Sequence, residues 1–230
     1  RSQPLPASGT LPLAHQGDTR LRLKINLCIF TGRSDGMSFE EKRISWPDGK
    51  RRCSWCNPKN RLYMAYHDTE WGHPCHDDKR LFEMLILEGF QAGLSWECVL
   101  NKRDAFRKAF DGFNIDVICQ YDEEKFIELQ QNPGIIRNRL KIRASRTNAI
   151  IFRNIQEEYG SFDSYIWHWS DGNVLYERGA TRSNVSDAIS TDLKKRGMKF
   201  VGTTIIYAYL QAIGIVCSHE KDCFLFERSE

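Results

Sequence analysis

Residues 77–96 read DDKRLFEMLILEGFQAGLSW, and the fold turns on this stretch. Asp77 and Asp78 can cap a helix in which Leu81, Leu85 and Ala92 recur at helical spacing. Gly89 and Gly93 are expected to interrupt that helix. Ser95 can cap a second one, with Trp96, Val99, Leu100, Phe106 and Phe110 on one face. Position 88 continues the first apolar stripe, so Glu88 falls on a buried face. A carboxylate there is costly unless it is paired or protonated. Spacing leaves two readings open. Glu88 is a structural acid held by a backbone amide or an arginine, or it lines an enclosed pocket and exchanges hydrogen bonds with a ligand.

The rest of the body reads in the same way. Residues 123–131 form a short helix ending at Asn132-Pro133-Gly134. A longer helix runs from about Asn138 to Tyr159 and is closed by Gly160. Ser183 or Ser186 starts another that ends at Gly197, and an apolar helix over 203–213 stops at Gly214. Strand-like alternation is scarce, so an all-α fold packed around one core is expected. With 230 residues the chain can bury that core without disulfide staples. No apolar stretch approaches the ~18 residues of a membrane-spanning helix, and no membrane association is expected. The 41% hydrophobic and 27% charged residues exclude a wholly disordered, collagen-like or coiled-coil chain.

The net charge of +3 is unevenly spread. Residues 1–52 hold 10 basic and 5 acidic residues; the remainder holds 23 and 25. Any nucleic-acid surface on the body must therefore be a local patch. Residues 1–51 are read as an N-terminal extension, flexible or processed, and only loosely like a transit peptide. The domain proper is placed at 52–226.

Three constellations carry chemistry. Trp55, Tyr63, Tyr66, Trp71 and Trp96 lie in the first half of the body. Their default place is the core, yet Trp96 follows the helix break Gly93-Leu94-Ser95, where side chains often line clefts. Aromatic walls around one buried acid suit a flat, polar-edged ligand such as a nucleobase. The turn at Asn132-Pro133-Gly134-Ile135-Ile136-Arg137, followed by Arg139, Lys141, Arg143 and Arg146, looks like a helix-hairpin-helix spanning about 123–158. Such a turn aims backbone N–H groups and cations at a phosphate, although Ile136 stands where a second glycine is usual. The alternative is an ordinary helical hairpin with a solvated basic face. Finally, eight cysteines without a secretory signal point to a reducing compartment. Cys53 and Cys56 form a C-x2-C, with His67 nearby and His219 and Cys223 spaced i, i+4. A Cys2His2 structural zinc site is one reading. His73, Cys75 and His76 compete as ligands, and a redox pair at Cys53 and Cys56 is the other reading.

Several long motifs resemble the DNA-3-methyladenine glycosylase I family over about Arg52 to Phe224. They are Tyr66-His67-Asp68-x-Glu70-Trp71-Gly72, the run from Leu81 to Trp96, the run Gly134 to Ile142, and the run Leu193 to Gly202. The resemblance implies a helix-hairpin-helix glycosylase fold with a structural zinc joining the N- and C-terminal parts of the body. It implies a monofunctional enzyme that excises N3-methyladenine from alkylated double-stranded DNA and leaves an abasic site in base excision repair. Glu88 matches the family's base-recognition acid. Tyr66 and Trp96 match the aromatics that hold the flipped base, with Trp55 beside them. Gly134, Ile136, Arg137, Arg139 and Lys141 fall in the DNA-gripping hairpin, and Leu94 is placed as a wedge. Cys53, His67, His219 and Cys223 match the ligands of one zinc per chain, and Cys56 departs from that pattern. Asn138 stands where lyase-type relatives carry lysine, and an amide forms no Schiff base. A monomer is expected, cytoplasmic in a bacterium, nuclear or organellar in a eukaryote. Two other functions are weighed: a zinc-stabilised module that binds lesions without catalysis, and a glycosylase for another purine lesion.

Overall fold

The structure, a computed structural model, describes residues 46–226. The N-terminal extension therefore lies almost wholly outside the described residues. Ten α-helices account for just over half of the described residues. They are α1 (Arg61–Thr69), α2 (Asp78–Gln91), α3 (Trp96–Leu100), α4 (Arg103–Ala109), α5 (Ile115–Cys119), α6 (Glu123–Gln131), α7 (Arg139–Tyr159), α8 (Phe162–His168), α9 (Asn184–Lys195) and α10 (Thr203–Ala212). Two short strands, β1 (Leu175–Tyr176) and β2 (Val216–Cys217), pair in parallel. None of the described helices is long and apolar enough to cross a membrane.

Helix α2 is the axis of the body. Asp77 caps it by accepting from the Arg80 amide at 2.8 Å. Every residue from Leu81 to Phe90 is buried, because α3, α7, α8 and α10 pack around it. A helix buried on all sides can carry apolar residues all round. Gly89 does not interrupt α2, contrary to expectation: Phe200 packs close over it, where a Cβ would meet the Phe200 Cβ at 3.5 Å. The helix expected after Ser95 is two, α3 and α4, divided at Asn101-Lys102. Helices α1, α5 and α8 lie in stretches where the sequence reading assigned no element.

Helix α6 runs to Gln131 and α7 opens at Arg139, capped by Asn138, whose side chain accepts from the Leu140 and Lys141 amides at 3.1 Å each. Gly160, with φ of +83°, closes α7 as a left-handed cap. Helix α9 starts at Ser183, not Ser186; the two serines form a reciprocal capping box.

Candidate active site

Helix α2 delivers Glu88 to the floor of a cavity of about 380 Å³, a volume ordinary for a small-molecule site. Tyr63 and Tyr66 come from α1, Trp96 from the start of α3, and Gln211 from the last turn of α10. Trp55 and Trp71 complete the aromatic wall, and Gly179, Ala180, Ser218 and Glu220 form the rim. The Tyr66 and Trp96 rings are tilted against each other with centroids 5.2 Å apart. Trp55 packs edge-on to Trp71 at 4.8 Å and against Tyr63 at 5.3 Å.

Glu88 is 3% exposed, and its Oε2 has no hydrogen-bond partner among the described residues. Burial pushes its pKa up to about 8, so near neutral pH it is chiefly a neutral acid, one donor and one acceptor. The second buried acid of α2 is the contrast. Glu83 accepts from Arg103 at 2.7 Å and from Arg107 at 2.8 Å, and Arg103 also reaches Glu70 at 2.7 Å. Glu83 is a structural acid held by arginines. Glu88 has nothing comparable and faces the cavity. Burial also raises the Tyr66 hydroxyl well above its ordinary value, so it stays protonated and can donate.

Behind the aromatic wall lies a cluster of four buried side chains, Cys53, His67, His219 and Cys223, whose ligand atoms all lie within 4.8 Å of one another. The Cys53 Sγ to His219 Nδ1 distance is 3.5 Å. Cys223 Sγ lies 3.5 Å from His67 Nε2 and 3.6 Å from His219 Nδ1. A tetrahedral zinc with sulfur at about 2.3 Å and nitrogen at about 2.0 Å puts its S and N ligands about 3.5 Å apart, so the donor set fits. His67 Nδ1 is engaged by Asp68 at 2.9 Å, which turns the Nε2 lone pair toward the cluster, where it accepts from the Cys53 amide at 3.3 Å and could instead ligate a metal. Burial opposes the Asp68 charge, but Arg52 and His67 outweigh it and hold its pKa low; Arg52 donates to Asp68 at 2.7 and 2.6 Å. Gly72 (φ +78°) lies against this cluster, where any Cβ would come within 3.0 Å of His219 Nε2. Cys56 is buried, but it is outside the four-residue cluster. His73 and His76 are engaged elsewhere, with the Asp68 carbonyl and Asp163.

The cluster and the cavity share a wall. Trp55 packs on His67 at 5.2 Å, and Trp71 packs edge-on to His219 at 4.8 Å. Ser54 donates through its amide and hydroxyl to Glu220 at 2.7 and 2.6 Å, clasping the two ends of the body at the cavity rim.

The hairpin residues divide. Arg137 and Arg139 are exposed at the start of α7, and Ile136 is half-buried. Gly134 is required by close packing: a Cβ would lie 3.2 Å from the Ala105 Cβ and 3.0 Å from Asn132 Oδ1. Leu94 is 45% exposed on the loop between α2 and α3. Lys141 departs from the expected phosphate role. It is 7% exposed, and its ammonium donates to the carbonyls of Phe90 at 2.9 Å and Ala92 at 2.6 Å. A charge spent on two buried carbonyls is not on offer to a phosphate. Sequence reasoning missed Gln91, Gln211 and the rim residues. Gln91 follows Glu88 by one turn and was the only one with a local signal.

An aromatic chamber floored by a buried acid, in a helical body, suits a flat, polar-edged ligand. The comparisons narrow this. The family model described as methyladenine glycosylase matches residues 55–226. The chain is 43% identical over 178 residues to DNA-3-methyladenine glycosylase 1 of Escherichia coli (strain K12), covering 75% of this chain and 95% of that protein. It is 38% identical over 178 residues to DNA-3-methyladenine glycosylase of Haemophilus influenzae, covering 75% and 96%. The structure of 3-methyladenine DNA glycosylase I from Staphylococcus aureus, solved for its recognition of 3-methyladenine, superposes with a TM-score of 0.74 at 31% identity, over 78% of this chain and 98% of that one. The chain belongs to the methyladenine glycosylase family.

Proposed function

We propose that the cavity receives an N3-methyladenine flipped out of duplex DNA and that Glu88 reads it while water cuts its bond to the sugar. The chain is an N-glycosylase, and the excision of 3-methyladenine in base excision repair is its activity. The observation that carries the site is the buried Glu88 carboxyl, its Oε2 without a partner among the described residues, set among tilted and edge-on aromatic rings.

The chemistry suits these groups. Methylation at N3 makes the purine cationic and weakens its bond to deoxyribose. Water adds to C1′, the C1′–N9 electron pair leaves with the base, and the water loses a proton. An abasic site and a neutral base result. Because the base departs neutral, it needs little protonation. A protonated Glu88 offers one donor and one acceptor, complementary to the N7 acceptor and N6 amino donor of adenine. The faces of Tyr66 and Trp96, with Trp55 beside them, attract a cationic base more than a neutral one. Substrate choice thus rests on charge as well as shape. Leu94, exposed at the helix break, fills the gap left in the stack. Asn138 is a helix cap with no amine, consistent with hydrolysis without strand cleavage.

The turn between α6 and α7 acts as the helix-hairpin-helix, with Arg137 and Arg139 beside the phosphate backbone of double-stranded DNA. Replacing either with alanine should weaken binding regardless of sequence and lower the log–log salt slope by about 0.9 per lost contact. Salt titrations of wild type and variant check this; equal slopes remove the phosphate role. One zinc held by Cys53, His67, His219 and Cys223 pins the ends of the body together, and its part is structural.

Incubating the protein with methylated duplex DNA and identifying the released base by chromatography tests the function. Free 3-methyladenine is expected. Lesion binding without base release would leave a binding module, and a different free purine would change the substrate.

A further inference from the structure

We infer that Lys141 is a positioning residue for base excision, tying the DNA-gripping end of α7 to the helix end and loop that carry Glu88, Leu94 and Trp96. This rests on the function proposed above. The carbonyls of Phe90 and Ala92 belong to the last turn of α2 and its cap, where unpaired carbonyls and the negative end of the helix dipole lie. The Lys141 ammonium meets both, at 2.9 and 2.6 Å, and is buried as it does so. Buried charge-assisted bonds of this length hold their partners in one geometry. Two residues beyond Ala92 is Leu94, and two further is Trp96, the wall of the cavity.

A second lysine closes the circuit from the other side. Lys102, just past α3, donates to the carbonyls of Pro133 and Gly134 in the hairpin turn, at 3.4 and 3.3 Å. The hairpin is therefore tied to both ends of the segment that carries Leu94 and Trp96, through Lys141 to the end of α2 and through Lys102 to the far end of α3. Arg137 and Arg139 lie on the segment between those two ties. Engaging a phosphate there places the wedge at a set distance and angle from the strand. Without the Lys141 tie, the hairpin can bind DNA while the wedge and pocket sit out of register with the nucleotide to be extruded. Displacements of about 1 Å in a positioned site can cost on the order of 100-fold in rate.

The test uses the full chain with Lys141→Met, Lys141→Gln and Lys141→Arg. Single-turnover excision at saturating methylated duplex, affinity for the unmethylated duplex, and hydrogen exchange over residues 92–96 are measured. Lys141→Met is expected to lose about tenfold or more in single-turnover rate per folded molecule, with duplex affinity nearly unchanged and faster exchange in the loop. Lys141→Arg, which keeps a charged donor, retains most of the rate; Lys141→Gln does not. If Lys141→Met fails to fold, the Gln and Arg pair carries the comparison. A wild-type excision rate in Lys141→Gln, or unchanged exchange over the loop, overturns the proposal. Loss of duplex affinity in step with rate would return Lys141 to a phosphate contact and also overturn it. A wild type that releases no base is a different failure, that of the glycosylase reading itself.

Discussion

Replacing Glu88 with alanine is expected to cut N3-methyladenine release by about 100-fold while the protein stays folded. The loss comes from a buried site in which one carboxyl supplies both donor and acceptor to the base. Glu88→Gln should lose less, because the amide keeps a donor and an acceptor but cannot ionise against a cationic base. Unchanged base release in the alanine variant would remove Glu88 from the pocket. The same residue predicts a pH effect on stability. In the folded protein burial raises the Glu88 pKa from 4.5 to about 8. Folded protein therefore keeps a proton that the unfolded chain releases. Glu88 costs no stability below its unfolded pKa; between the two values it costs about 1.4 kcal/mol more per pH unit. Above the folded pKa the full cost is reached. The Gln variant, which does not titrate, should gain melting temperature relative to wild type as pH rises over that window. Parallel melting profiles would show that the carboxyl is not desolvated as the structure has it.

The proposed zinc carries the second large expected effect. Purified protein is expected to hold about one zinc per chain. Cys223→Ser, or exhaustive chelation, should lower the melting temperature by about 10 °C or more, since several kcal/mol of folding energy rest on such a site. Affinity for free 3-methyladenine should fall too, because Trp55 and Trp71 lean on His67 and His219. Elemental analysis with thermal melts checks the first part, and base titration by tryptophan fluorescence checks the second. Protein that purifies without zinc and melts unchanged in chelator rules the metal out.

Much of the frame was legible in the chain. The capped starts of α2 at Asp77, of α7 at Asn138 and of α9 at Ser183 are local signals, since a cap bonds amides two or three residues away. Gly160 marks the end of α7 for the same reason. Helices α5 and α8, of five and seven residues, are too short for a sustained apolar stripe, and α1 buries Tyr63, Tyr66 and His67 in place of an aliphatic stripe, so the sequence pattern shows none of the three. Gly89 misled because helix propensity charges a glycine for its freedom, whereas here Phe200 fills the space that a side chain would take.

The sequence by itself determined that Glu88 lies on a buried face, that aromatic residues gather near it, and that Cys53, His67, His219 and Cys223 are a candidate donor set. Only the tertiary structure decided which buried acid of α2 is free. Glu83 and Glu88 are both inward, but arginines from α4 neutralise the first, while the second faces the cavity. Only it showed that Lys141, one cation in a basic run, is turned inward onto the end of α2. The physical reason is one of range. Periodicity reports which side of a helix is buried, from bonds and spacings a few residues long. What stands opposite that side is supplied by segments far away in the chain, and the charge, pairing and role of a buried polar group depend on that neighbour.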